Sequence, residues 1–210
     1  MGSISDAHVE WAVVGRFKAM LDEPPKTKFN VTQAFALFST IVLWTKQRAW
    51  VPLQSPLGPA DQAARAVRGA LQEASILDAP WLLSRSVPQS LSINRRRYSS
   101  AAADNINVDF VGMSPEHFIK WVRDALAHGD GRTTTPLHKL STKGDKTLLA
   151  GFRIIFPEAR GSNRSLRLDL YLDDMKRIGA ILAHEFCTRL AADEQYFELD
   201  IGTRSIKEAA

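Results

Sequence analysis

The chain is poor in the residues that mark the commonest functional classes. It has a single cysteine, Cys187, so neither an internal disulfide nor a cysteine-built zinc site can form. No uncharged apolar run approaches the roughly 18–20 residues that a membrane span needs. The opening residues, MGSISDAHVEW, lack the charged and apolar regions of a secretory signal. His184-Glu185 has no second histidine to make a zincin helix, Gly129 and Gly131 do not make a dinucleotide fingerprint, and no Walker lysine occurs. These absences lead to the expectation of a cytoplasmic protein with no membrane partner, no metal site and no cofactor. The excess of positive charge is mild, since 27 Lys and Arg face 23 Asp and Glu for a net +4. Such a balance permits a nucleic-acid partner without requiring one.

What is present is a chain of 210 residues, 45% apolar, which is enough for one buried core. Periodicity predicts an amphipathic helix over 5–22, stopped by Glu23-Pro24-Pro25. A second helix, about 31–50, carries only a narrow polar stripe, and is therefore expected at the centre of a bundle or against a partner chain. An Ala- and Arg-rich helix follows over 61–77. Residues 84–110 lose periodicity and read as a long exposed loop holding Arg95-Arg96-Arg97. Ser114-Pro115-Glu116 then marks a helix start: a capping hydroxyl, a proline at the first position and an acid at the positive end of the dipole. That helix is expected to run to His128, with Gly129 as its stop. GDGRTTTP reads as a loop, 148–156 and 166–171 as a short hairpin, 173–192 as a last long helix, and 193–210 as a tail. Together these predict one domain over 1–210, with its core at about 29–192 and an N-terminal helix within 1–25. The expected class is all-α, a helical bundle with a small β hairpin before the last long helix.

The chemistry concentrates on the helix 114–128. On an ideal wheel Phe118, Trp121, Val122, Ala125 and Leu126 share one half, while His117, Lys120, Arg123, Asp124 and His128 share the other. One polar face thus offers an imidazole, a carboxylate four residues before it, and fixed cations. Such a set can move a proton and stabilise a pentacoordinate phosphorus transition state. An Asp and a His at i, i+4 also occur on ordinary solvated helices, so spacing alone is a weak signal. The five tryptophans read as core or dimer anchors before base-stacking platforms.

The wording of the segment Trp121-Val122-Arg123-Asp124-Ala125-Leu126-Ala127-His128-Gly129 adds to this. It resembles the motif of the HEPN superfamily, in which Arg, a polar residue and a His four to six positions after the Arg sit near a helix end. Phe35 to Ala49 resembles the first long helix of a plasmid-type bacterial HEPN subfamily. The resemblance covers about 29–192. It implies a HEPN-like bundle, dimeric, in which the Arg and His of both chains form one cleft, and a metal-independent endoribonuclease cutting single-stranded RNA through attack by the 2′-OH. His128 would transfer protons, Arg123 would hold the scissile phosphate, and Asp124 would orient His128 or hold the helix end. Lys120 and Arg95, Arg96 and Arg97 are expected to bind RNA, with His117 a secondary candidate. A toxin or defence effector is implied, with an antitoxin or regulatory protein as a further partner. One departure stands out: where toxins paired with a nucleotidyltransferase carry a modifiable Tyr two positions after the His, this chain has Asp130. The alternatives are a non-catalytic HEPN module that binds nucleic acid or a partner protein, and a structural dimerisation bundle.

Overall fold

The computed structural model describes residues 9–23, 29–50, 59–72, 74–86, 106–129, 131, 133–140, 147–157 and 165–192. The arginines 95–97, Asp130, the start of the N-terminal helix and the tail 193–210 lie outside the described residues. Among the described residues there are five α-helices: α1 (Val9–Asp22), α2 (Asn30–Trp50), α3 (Pro59–Ala70), α4 (Pro115–His128) and α5 (Leu172–Ala191). Three strands lie between the last two helices: β1 (Thr134–Leu140), β2 (Thr147–Pro157) and β3 (Ser165–Tyr171).

The expected all-α class is overturned. The strands form one antiparallel sheet in the order β1-β2-β3, so the architecture is mixed α/β. The expected hairpin corresponds to β2 and β3, and the missed element is β1, which begins inside the TTTP stretch read as loop. Pro136 cannot donate to a ladder, and that disqualifies it from a central strand only. β1 is an edge strand, so its proline is tolerated.

The helix with the narrow polar stripe, α2, is central: it touches α1, α3, α4, α5 and β2. Its Phe38, Ile41 and Val42 are fully buried among Leu21 of α1 and Ile178, Leu182 and Phe186 of α5. Gly179 allows this close approach, because a Cβ there would stand 2.8 Å from Leu21 Cδ2 and 3.4 Å from the Phe38 ring. Arg48 of α2 is buried and ion-paired with Glu10 of α1 (3.0 Å), so it ties two helices together. The third helix ends at Ala70 rather than near residue 77. There the Leu71 carbonyl accepts the backbone N–H of Glu116, a tertiary bond that no local periodicity encodes.

One face of the sheet, with Ile154, Phe156, Leu166, Leu168 and Leu170, is buried in the same core as the helices. The last residues of the segment 84–110, expected as an exposed loop, are instead buried: Ile106, Asn107 and Phe110 are almost inaccessible. Asn107 has a left-handed backbone (φ 59°), a conformation asparagine adopts more readily than most residues. Its amide covers the outer edge of β3. Oδ1 accepts from Asp169 N (2.8 Å), while Nδ2 donates to Asp169 O (3.1 Å) and to Ser84 O (2.7 Å). Asp109 then accepts from Arg167 N (3.1 Å). The side chains of a single turn thus satisfy a strand edge that would otherwise be open.

Asn107→Ala therefore leaves buried peptide groups of β3 unpaired, and it is expected to lower stability by about 1–3 kcal/mol in urea unfolding. Val108→Ala, at an exposed neighbour, should stay within about 0.5 kcal/mol of the parent.

Candidate active site

The α4 helix begins as its sequence dictates. Ser114 is the cap, its Oγ accepting the His117 N–H (3.3 Å), and Pro115 occupies the first turn, where no intrahelical N–H bond is needed. Phe118, Ile119, Val122 and Ala125 form its buried stripe. Glu116 does more than oppose the dipole. It accepts from Arg68 Nε (2.7 Å) and Gln72 Nε2 (3.1 Å), locking the first turn of α4 to the end of α3.

With that stripe turned inward, Lys120, Asp124 and His128 come out along one side and line a groove of about 380 Å³. Trp121, Ala125, Ile155 and Phe156 supply its apolar walls, and Gly129 and Thr133 close the end of the helix. Lys120 and His128 are exposed and Asp124 is half-buried, so solvent and a ligand can reach all three. The Trp121 indole meets the Phe156 ring with centroids 5.0 Å apart and planes tilted by 33°.

Gly129 is needed here for space. It caps the helix, as expected, with an extended backbone (φ −75°), and a Cβ would fall 2.3 Å from the Ala125 carbonyl oxygen and 3.1 Å from Thr133 Oγ1. The glycine lets β1 approach the helix end and form the groove's rim.

The expected constellation is only partly assembled within one chain. Asp124 receives a hydrogen bond from Arg123 Nη1 (2.9 Å), and among the described residues none joins it to His128. Arg123 flanks the groove without lining it. The helix stays regular through His128, without the local unwinding that would turn Arg123 and His128 toward each other. They remain about 140° apart around the axis. His117 sits at the opposite end of α4, roughly 17 Å from His128 along the helix, and its Nδ1 is 3.4 Å from Ser114 Oγ.

Lys46 of α2 belongs to this neighbourhood and was not visible in the sequence, where it fell on a polar stripe with Gln47. Burial lowers its ammonium from the ordinary lysine value, Asp124 opposes that shift, and Arg123, Arg68 and Lys120 add to it. Four cations, Lys46, Arg68, Lys120 and Arg123, thus act on one another around the Asp124 carboxylate. Thr133, Ile155 and Phe156 were also missed, because only the three-dimensional course of β1 and β2 brings them to α4. Among the described residues no group of three or more His, Cys, Asp or Glu could hold a metal ion, and no helix is long and apolar enough to cross a membrane. Compared with protein-family models, curated proteins and solved structures, the chain matches none.

Glu116 gives this corner a pH dependence. Burial raises its carboxyl, but the hydrogen bonds from Arg68 and Gln72, with their positive surroundings, outweigh it and leave the group below its usual 4.5. A carboxyl depressed by folding stabilises above its unfolded value, and that contribution is lost as pH falls through the folded value. The stability advantage of the parent over Glu116→Gln should therefore be full at pH 6 and shrink as pH falls below 4.5, as measured by thermal melts across that range.

Proposed function

We propose that the protein is a metal-independent endoribonuclease of the HEPN type that cuts single-stranded RNA, with its site at the C-terminal end of α4. The observation that carries this reading is that His128, Asp124 and Lys120 line one solvent-open groove, with Arg123 hydrogen-bonded to Asp124 beside it. RNA supplies its own nucleophile. The 2′-OH attacks the adjacent phosphorus, the P–O5′ bond breaks, and a 2′,3′-cyclic phosphate and a free 5′-hydroxyl result. The protein must take a proton from the 2′-OH, give one to the departing 5′-oxygen and neutralise the extra charge on phosphorus. His128 is the proton-transfer group, and Lys120 and Arg123 supply the fixed charge. Since Arg123 and His128 diverge within one regular helix, the complete site takes Arg123 from one copy and His128 from a second across a two-fold axis. An antitoxin or regulatory protein, and a role in toxicity or defence, belong to the same reading.

A specific observation favours a second reading. Arg123 is paired with Asp124 and turned away from His128, which is what a groove that binds nucleic acid without cutting it would also display.

Wild-type protein in EDTA should cleave a single-stranded RNA to cyclic-phosphate ends and leave the all-deoxy oligonucleotide whole, because DNA has no 2′-OH. His128→Ala should lower kcat by about 10²–10⁴-fold. His128 is exposed, so the melting temperature should be unchanged. RNA that is bound in a salt-dependent way but never cut would establish the second reading.

The two-copy site has its own readout. Arg123→Ala and His128→Ala proteins, each inactive, should regain roughly a quarter of parental activity when mixed and allowed to exchange subunits, because half the dimers then hold one intact site. No recovery in a preparation shown to have exchanged would place both residues' work within one chain.

A further inference from the structure

The groove beside His128 is more apolar than phosphate binding alone calls for. A backbone track needs cations, yet the wall here is built from Trp121, Phe156, Ile155 and Ala125, with Lys120, Asp124, His128 and Thr133 as the polar residues. Trp121 is half-buried. Its neighbour Phe156 is almost fully buried and leans on Phe110 (6.3 Å between centroids), which packs on Phe118 (5.9 Å). The indole at the groove is therefore backed by a chain of aromatic rings. About 380 Å³ is a volume that can hold one unstacked nucleotide, at the lower end of small-ligand sites.

We propose that this groove is a nucleobase subsite: one base of a single strand is splayed out of the stack and lies against Trp121, with its phosphate toward Lys120 and His128. The assignment deepens the ribonuclease reading and rests on it for the direction of the strand. Every base has a π face, so a stacking platform accepts all four and refuses a duplex, whose bases are already stacked. The subsite thus accounts for selection of single strands without sequence-reading contacts. It also sets the nucleotide next to the imidazole, so Trp121 is a positioning and specificity residue, while proton transfer belongs to His128.

The test uses the full-length protein and a fluorescent all-deoxy single strand, which cannot be cut, beside a duplex of the same length. Trp121→Leu keeps apolar bulk but removes the π face, and it should weaken single-strand binding by about tenfold or more while leaving duplex binding unchanged. Trp121→Phe keeps a π face and should bind single strands within about threefold of the parent. Indole emission gives a second measurement independent of the leucine variant's stability: single strands should quench the parent more than Trp121→Phe. Parental affinity in Trp121→Leu, equal loss for single strand and duplex, or equal quenching in parent and Trp121→Phe would each overturn the subsite. If Trp121 governs binding but no RNA is ever cut, the subsite stands and the ribonuclease reading falls. If RNA is cut and Trp121→Leu binds normally, the reverse holds.

Discussion

The rotation of α4 about its own axis is the constraint on which the site depends. Two sets of contacts fix it. Phe118, Ile119 and Val122 are fully buried in the core, and Glu116 is held at the first turn by Arg68 and Gln72. Turning the helix would expose three large apolar side chains, at about 1.5–3 kcal/mol each, and would strand a buried carboxylate without its donors. Because that rotation is fixed, the residues four apart on the outer side, Lys120, Asp124 and His128, are carried into one line along the groove. The chemistry is thus a consequence of packing on the opposite face.

The sheet completes what the helix begins. β2 contributes Phe156 to the core on one face and Ile155 to the groove. Thr133, just before β1, bonds through its carbonyl to the Ile155 N–H (2.7 Å), which fixes the rim against the wall. Gly129 is the hinge of this arrangement. A Cβ there would collide with the Ala125 carbonyl oxygen of α4 and crowd Thr133 Oγ1.

The parts that were legible in the sequence are those encoded by local rules. The cap and proline of α4 and the periodicity of α2 and α5 are read from a few neighbouring residues, and the observed bounds differ by one residue or so. The misses share a cause of another kind. β1 is polar and contains Pro136 because it is an edge, a property that exists only once the sheet is assembled. The end of α3 is set by a peptide bond partner 45 residues later, Glu116. Asn107 sat in what looked like an exposed loop, yet it is buried because β3 needs an edge partner. For the site, Lys120 and His128 were legible as a helical face. Trp121 was assigned to the apolar half of α4, correctly, but whether an apolar residue meets the core or a groove is decided by what packs beyond it. Lys46, on a different helix, had no local signal at all.

The Arg123–Asp124 ion pair bears directly on how the proposed reaction is assembled. Both side chains are well hydrated, 35% and 47% exposed, so a pair of this kind is worth at most about 1 kcal/mol. Straightening out the divergence of Arg123 and His128 within one chain would instead require unwinding the last turn of α4, losing several backbone hydrogen bonds at about 1 kcal/mol each. It would also dislodge Gly129 from its close contact with Ala125. Breaking a surface ion pair is thus cheaper than breaking a helix end. A phosphodiester arriving at the groove competes with one oxygen of Asp124 for a guanidinium, and a planar fork binds a phosphate bidentately. In the proposed reaction, Arg123 would exchange Asp124 for the phosphate with no change in the backbone. A rigid helix presented by two copies is thus a less costly assembly for the proposed site than a single helix that melts to bring its own two residues together.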